Sequence, residues 1–269
     1  MFKFKNTNKK DLSIYIHIPF CESRCYYCDF YSSIINEENT IKYFENLKKE
    51  ILIYSDFLKD KNIKSIFIGG GTPSSVNSKY IKNNLKTLKE ITNIDINTEI
   101  TIEVNPNSIN EEKLIDYLDS GINRFSMGAQ SFNDNILKSI GRVHKKDDII
   151  KAINLFHKYN IENFSFDLML ALPYQQFEDI EESINMIEVL KPAHISYYSL
   201  IIEENTPFYQ LYNESKLALP NEEIEYAMFE ANRRLLEPMN FQHYEISNFA
   251  IPGFEAKHNL IYWHNQFYL

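Results

Sequence analysis

The sequence predicts an α/β protein whose parallel sheet curves into a partial (βα)6 barrel of the TIM type. Short apolar segments with a strand period alternate six times with longer segments of helical period. Short connections favour a parallel sheet, and right-handed crossovers wind such a sheet into a barrel or an open doubly wound sheet. Six units favour the partial barrel. No G-x-G-x-x-G run follows a predicted strand, so nothing indicates a dinucleotide-binding fold.

Each element follows from a local pattern. In the first strand, isoleucines at positions 14, 16 and 18 alternate with Tyr15 and His17. In the first helix, apolar residues recur at helical spacing, and glycine or proline ends several later elements. The predicted strands are 12–17, 65–68, 99–104, 124–127, 163–168 and 193–200, and the predicted helices are 37–58, 78–91, 110–120, 146–159, 177–190 and 222–236.

Composition narrows the class of protein. The 269 residues are 44% hydrophobic and 24% charged, as in an ordinary globular domain, and the net charge is −9. An acidic chain is not expected to have nucleic acid as its main partner. The start, 1–5, lacks the apolar run of a signal peptide, and no stretch is long and apolar enough to span a membrane. We therefore expect a cytoplasmic protein.

All the cysteines lie in one loop. Cys21, Cys25 and Cys28 have the spacing C-x3-C-x2-C, and their odd number argues against a disulfide framework. Thiolates favour zinc or an iron–sulfur cluster. Three readings remain from these residues alone: structural thiols, a zinc site completed by a distant histidine, and a four-iron cluster with one iron free of protein ligands. Such an open metal position is where chemistry takes place.

Polar or glycine-rich segments follow the predicted strands. The run 69–73 (GGGTP) follows the second strand, Glu103 ends the third, Gln130 and Arg142 follow the fourth, and Asp167 lies in the fifth. Glycines let a backbone approach a ligand closely, and an arginine fork suits a carboxylate. Because barrels of this type carry their active site at the carboxyl ends of the strands, we expect these residues to meet there.

These motifs identify a resemblance. The cysteine loop with its following Asp-Phe resembles that of the radical S-adenosylmethionine (SAM) superfamily, and the segments 15–21, 69–74, 103–106, 124–132 and the Asp167 segment resemble the oxygen-independent coproporphyrinogen III oxidase family. The resemblance implies a 4Fe-4S cluster on the three cysteines, with SAM chelating the open iron and being cleaved to a radical. The SAM contacts that it implies are Tyr15, Tyr27, Gly70, Gly71, Thr72, Glu103, Gln130, Arg142, Asp167 and Ile201.

Three features resemble the HemW-like heme chaperone branch of that family. Phe30 stands where the oxidases carry a fourth cysteine, and about a dozen residues precede the first strand. The segment 258–263 (HNLIYW) resembles a heme-binding motif, which implies His258, Tyr262 and Trp263 as heme contacts. Histidine can ligate iron, and aromatic rings can stack on a porphyrin.

The resemblance implies a chaperone that binds heme and passes it to heme-accepting proteins, with an electron donor such as flavodoxin or ferredoxin. Coproporphyrinogen oxidase activity is the alternative and is not expected here, and a zinc-stabilised binding module is the second alternative. We expect a core barrel over 1–205, with the cluster loop at 21–28, and the start of an incomplete C-terminal extension over 206–269. Ala171 and Tyr174 replace glycines that are usual in the family, and we expect them to narrow a second SAM site.

Overall fold

The computed structural model describes residues 10–269, so the segment 1–5, on which the signal-peptide prediction rests, lies outside the described residues. Its strands are β1 (Asp11–Ile18), β2 (Phe20–Cys21), β3 (Ser33–Ile34), β4 (Asn62–Gly70), β5 (Glu99–Val104), β6 (Arg124–Gln130), β7 (Phe164–Leu170), β8 (His194–Ser199), β9 (Gln242–His243) and β10 (Asn248–Ala250). Its helices are α1 (Glu37–Ile53), α2 (Ser55–Leu58), α3 (Ser78–Ile91), α4 (Glu111–Asp119), α5 (Asp134–Ser139), α6 (Lys146–Lys158), α7 (Phe177–Leu190), α8 (Pro207–Asn213), α9 (Glu222–Leu236) and α10 (Lys257–Trp263).

Over the described residues, the main sheet has eight strands in the order β1-β4-β5-β6-β7-β8-β10-β9. The first six are parallel and correspond to the six predicted strands, which confirms the α/β fold class. The short strands β10 and β9 continue the sheet in antiparallel orientation beyond β8. They belong to the predicted extension, and they share a sheet with the predicted core barrel.

The sheet forms because its strands are apolar on the face that the helices cover. In β1, Ile14, Ile16 and Ile18 are buried in the core, whereas Tyr15 is 36% exposed on the opposite face. Alternation along a strand places every second side chain on the inner face of the curved sheet. This inner face carries the polar residues described below.

Asparagine side chains begin five of the described helices. Asn36, Asn77, Asn110, Asn133 and Asn221 each accept a hydrogen bond from a backbone N–H in the first turn of α1, α3, α4, α5 and α9 respectively. Such a cap typically contributes about 1 kcal/mol to helix stability. The asparagine-rich composition therefore fixes where these helices start.

Three local features differ from the predicted elements. The predicted helix 37–58 is divided into α1 and α2 at Tyr54, whose ψ of 2° lies outside the helical range. The helices α8 and α10 and the strands β9 and β10 were not predicted. The last residues pair with the edge strand β1, since the amide of Ser13 donates to the carbonyl of Phe267 and the amide of Leu269 donates to the carbonyl of Ser13.

None of the helices within residues 10–269 is long and apolar enough to cross a bilayer.

Candidate radical SAM site

A cavity of about 500 Å³ lies at the carboxyl ends of the parallel strands, between the inner face of the sheet and the cysteine loop. It gathers residues that are distant in sequence. Of the predicted cluster and SAM residues, those that line it are Cys21, Cys25, Tyr27, Cys28, Gly70, Gly71, Thr72, Glu103, Gln130, Arg142, Asp167 and Ile201. Tyr15 lies outside the lining, and its hydroxyl is 3.0 Å from Nδ1 of His17.

The three thiols face this cavity and have polar neighbours. The hydroxyl of Thr72 donates to Sγ of Cys21 at 3.6 Å, and the guanidinium of Arg142 donates to Sγ of Cys25 at the same distance. These donors favour the thiolate form that iron binds, whereas burial raises the pKa of Cys28. Among residues 10–269, no three His, Cys, Asp or Glu side chains converge closely enough to hold a single metal ion. A four-iron cluster takes each thiolate on a different iron, so three separated thiols that face one cavity fit it.

The glycine run is required by a close approach of two backbones. Gly70 has a φ of +114°, and a Cβ there would lie 2.4 Å from the ring of His17. A Cβ on Gly71 would lie 2.7 Å from the carbonyl oxygen of Phe20, because β4 ends directly against the start of the cluster loop. This packing joins the cluster loop to the sheet. It also turns the backbone N–H of Gly70 toward Glu103, to which it donates at 3.1 Å.

Two half-buried carboxyl groups, Glu103 and Asp167, lie on the inner face of the sheet beside this run. Burial raises the pKa of Glu103 to about 8, and the charge of Asp167 adds to the rise. Burial also raises the pKa of Asp167 to about 6, although hydrogen bonds from Ser196 and Ser126 oppose that rise. A buried carboxylate without a cation binds its proton tightly. This pair therefore suits a ligand that brings positive charge.

Arg142 is held rigidly between the cluster loop and the end of β6. One of its terminal nitrogens donates to the carbonyl of Gly128 at 2.5 Å and to Asn105 at 2.7 Å. Its Nε donates to Nδ1 of His144 at 3.3 Å, while Nε2 of His144 lies 3.1 Å from the carbonyl of Ala129. Burial lowers the pKa of His144 to about 3, so this ring is neutral.

Sequence reasoning did not single out Asn105 and His144 as positioning groups. Asn105 lies directly after β5, within the segment 103–106, and His144 lies two residues beyond Arg142. For Asn105 the signal available in the sequence was its place at the carboxyl end of a strand, and for His144 it was the nearness to Arg142. Gln130, which was predicted, has a φ of +64° and accepts a hydrogen bond from the hydroxyl of Tyr198 at 3.1 Å.

The predicted heme residues lie on α10, behind the cavity. His258 is buried, with Nδ1 2.8 Å from the hydroxyl of Ser65 and Nε2 3.0 Å from the hydroxyl of Tyr262. Burial lowers the pKa of His258 to about 4, so the ring is neutral at pH 7. Tyr262 and Trp263 are 44% and 53% exposed. The structure thus brings His258 and Tyr262 together and leaves Trp263 on the surface.

Two residues that depart from the usual glycines have left-handed backbones. Ala171 has a φ of +57° and Tyr174 a φ of +66°, the region that glycine adopts without strain. Neither residue lines the cavity that holds the predicted SAM contacts. The backbone has kept the glycine conformation although the side chains have changed.

Comparison with known proteins agrees with this geometry. The sequence profile of the radical SAM superfamily matches residues 15–187. The heme chaperone HemW of Bacillus subtilis is 40% identical over 257 residues, which are 95% of this chain and 68% of that protein. This chain belongs to the radical SAM superfamily, in the family of the HemW proteins.

Other relatives extend the comparison. HemW of Escherichia coli is 35% identical over 94% of this chain and 66% of its own length. The chain therefore spans about two thirds of the length of the curated relatives it matches. The solved structure of coproporphyrinogen III oxidase (HemN) from Escherichia coli, a radical SAM enzyme, has a TM-score of 0.82 at 25% identity, over 91% of this chain and 57% of that chain. The similarity to both proteins covers the radical SAM fold and its cavity.

Proposed function

We propose that this protein is a radical SAM heme chaperone, which binds heme and transfers it to heme-accepting proteins in the cytoplasm. The observation that carries the proposal is the 40% identity to a HemW protein across 95% of this chain. The cavity supports it, because the thiols, the glycine run and the half-buried carboxyl pair face one space. An electron donor such as flavodoxin or ferredoxin would reduce the cluster.

We propose that Cys21, Cys25 and Cys28 hold a 4Fe-4S cluster in which one iron is left for SAM. When bound, the cluster and SAM together would supply one-electron chemistry. The chain contributes binding and orientation. Glu103 offers a half-buried negative charge to the cationic groups of SAM, and Arg142 offers a positive charge beside the thiolates. The other proposed SAM contacts are Tyr15, Tyr27, Gly70, Gly71, Thr72, Gln130, Asp167 and Ile201.

We propose that heme binds at α10, with His258 as iron ligand and Tyr262 and Trp263 against the porphyrin. The exposure of the two aromatic rings supports this position. Both nitrogens of His258 are hydrogen-bonded, so ligation requires the ring to exchange Tyr262 or Ser65 for iron. The neutral state of the ring at pH 7 favours ligation once a nitrogen is released.

The first test is a hemin titration followed by visible absorption, with the cluster reconstituted anaerobically. A saturable Soret band is expected for the wild type, and a lost or shifted band for His258→Ala. His157→Ala is the matched control, since His157 is exposed on α6 and remote from the proposed site. His258→Gln keeps a hydrogen-bonding group opposite Ser65, so it separates ligand loss from disruption of α10. Equal binding in the wild type and both His258 variants contradicts the proposed ligand.

Coproporphyrinogen III oxidase activity is the second candidate, favoured by the fold that this chain shares with HemN. Phe30 in place of the fourth cysteine argues against it. Incubation with coproporphyrinogen III, SAM and a reductant is expected to give no decarboxylated product, and turnover would favour the oxidase. Iron analysis tests the third candidate, the zinc-stabilised module. A chain that holds zinc and takes up no iron under anaerobic reconstitution would support that module.

A further inference from the structure

The cavity continues below the proposed SAM residues, toward the amino ends of the strands. Thr101, Arg124 and His194 line this deeper part, each two residues before a residue that faces the upper part. Side chains two apart on a strand point to the same face, so these three form the next layer of the inner face. Ala256, just before α10, and Asn259 of α10 also line the cavity. We name Thr101, Arg124 and His194 the cavity floor.

Arg124 is a buried cation without a direct counter-ion. It is 2% exposed, and its hydrogen bonds to the described residues both leave from Nη1, to Asn163 at 2.8 Å and to the carbonyl of Phe254 at 3.0 Å. Across residues 10–269, no carboxylate forms an ion pair with it. Arginine keeps its proton in proteins, and a buried charge is costly unless it is paired.

The nearby carboxylates are engaged elsewhere. Glu99 accepts hydrogen bonds from the backbone N–H groups of Lys257 and His258, both at 3.1 Å, and so begins α10. Asp167 accepts from the hydroxyl of Ser126 at 3.1 Å. Glu255, the third carboxylate whose charge acts on Arg124, accepts from the amide of Gly253 at 3.0 Å. None of the three forms an ion pair with Arg124, so its Nη2 and Nε make no hydrogen bond to the described residues and are left for a ligand in the cavity.

Two neutral groups on the floor also lack a partner. Oγ1 of Thr101 and Nδ1 of His194 are buried without a hydrogen bond to any described residue. Thr101 lies directly opposite Arg124 in the pairing of β5 with β6. A buried polar atom without a partner costs about 1–3 kcal/mol, so these two atoms and the free N–H groups of Arg124 together need a partner that the described residues do not supply.

His194 has one ring nitrogen bound within the protein. Its Nε2 lies 2.8 Å from the hydroxyl of Tyr244, which also accepts from the amide of Ala256 at 3.2 Å. Burial holds the pKa of His194 well below its usual range, so the ring is neutral and has one N–H. In the tautomer in which Tyr244 donates to Nε2, Nδ1 of His194 carries the N–H that an anion would accept.

We propose that the cavity floor binds an oxyanion of the carboxylate class. The floor offers a guanidinium fork, an N–H and a hydroxyl, all of which can donate, and a planar carboxylate accepts from such a fork in two parallel hydrogen bonds. The anion is either a small free carboxylate or the carboxylate of a larger molecule that fills the cavity above. This subsite is separate from the thiols and from the proposed heme residues on α10, so it does not rest on heme binding.

The test uses the full chain with its cluster reconstituted, and ¹³C-labelled formate as the probe in saturation-transfer NMR at constant ionic strength. Saturable binding is expected for the wild type. Thr101→Val removes one hydroxyl at nearly constant shape, and we expect it to weaken formate binding about fivefold. Arg124→Met is expected to abolish binding. Thr87→Val is the matched control, because this hydroxyl bonds the carbonyl of Asn83 within α3, away from the cavity.

Competition distinguishes the two sources of the carboxylate. Formate displaced by a propionate-bearing porphyrin shows that the larger ligand places its own carboxylate on the floor. Formate retained with the porphyrin present shows a subsite for a free small anion. Wild type without saturable formate binding, or equal binding in the wild type, Thr101→Val and Arg124→Met, shows that water alone satisfies the floor and overturns the proposal. Circular dichroism of Arg124→Met checks its folding, and Thr101→Val provides the test if that variant does not fold.

Discussion

Binding of SAM beside Glu103 is expected to release a proton. Burial raises the pKa of Glu103 to about 8, so about 0.9 of a proton is bound to it at pH 7 in the free protein. A cationic ligand next to this group selects the ionised carboxylate. Because this proton must leave first, Glu103 is expected to contribute about a ninefold rise in the affinity for SAM from pH 6 to pH 7, which is the difference between the wild type and Glu103→Gln. Asp167, whose pKa is raised to about 6, adds at most about a factor of two over the same range.

Calorimetric titration with SAM, in buffers with different heats of ionisation, measures this proton directly. The amino group of SAM also loses its proton when it ligates the open iron, in the wild type and in Glu103→Gln alike. The wild type is therefore expected to release close to one proton more per SAM bound than Glu103→Gln at both pH values. The reconstituted wild type is compared with Glu103→Gln, which carries no titrating proton there, and with Glu111→Gln, a surface control that removes the ion pair with Lys158.

The reasoning fails if the wild type releases no proton, or if Glu103→Gln releases as much as the wild type. It also fails if the affinity of the wild type for SAM is flat from pH 6 to pH 7. Loss of proton release in Glu111→Gln as well would show that the effect is not local to the cavity.

Three further predictions concern other parts of the chain. Burial raises the pKa of Glu103 from 4.5 to about 8, so the folded state binds this proton more tightly than the unfolded state. The free energy of unfolding of the ligand-free protein therefore falls as the pH rises from about 4.5 to about 8. Urea titrations at several pH values are expected to show that Glu103→Gln reduces this fall by a few kcal/mol. Ala171→Gly removes an alanine with a left-handed backbone and is expected to raise the free energy of unfolding by about 1 kcal/mol. The control Ala152→Gly, in the middle of α6, is expected to lower it by a similar amount. Thermal unfolding measures both changes, and an equal loss of stability in the two variants would contradict strain at Ala171. Tyr262→Phe keeps the ring and frees Nε2 of His258, so hemin affinity is expected to stay the same or rise; a large loss in the absorption titration would mean that the hydroxyl itself contacts heme.

The parallel part of the fold was predictable because its signals are local. Each of the six strands is a short apolar run followed by an amphipathic helix, and topology rules leave few ways to join such units. The same rules predicted that Glu103 and Asp167, 64 residues apart in the numbering, would meet at one end of the sheet. They do, close enough for the charge of Asp167 to add to the rise in the pKa of Glu103.

The remaining elements depend on contacts that no local pattern shows. The strands β9 and β10 have only two and three residues, and they exist because β8 offers them a free edge. The motif 258–263 predicts a helix-compatible spacing of His258 and Tyr262, but not that Ser65 lies against the ring. Arg124 begins a strand whose next five residues are apolar or small, and only the three-dimensional structure shows that no carboxylate forms an ion pair with it.

The helix α10 connects the proposed heme site to the cavity. One face of this helix places His258 against Ser65 of β4, while Asn259, the next residue, lines the cavity that holds the proposed SAM contacts. The backbone N–H groups at its start donate to Glu99 of β5, the strand that also carries Thr101 of the cavity floor. In the proposed function, ligation of heme by His258 would break a hydrogen bond that helps to hold α10 against β4, so the proposed heme and SAM sites would share this one element. Coupling through a shared element is reciprocal: if heme changed the affinity for SAM by some factor, SAM would change the affinity for heme by the same factor.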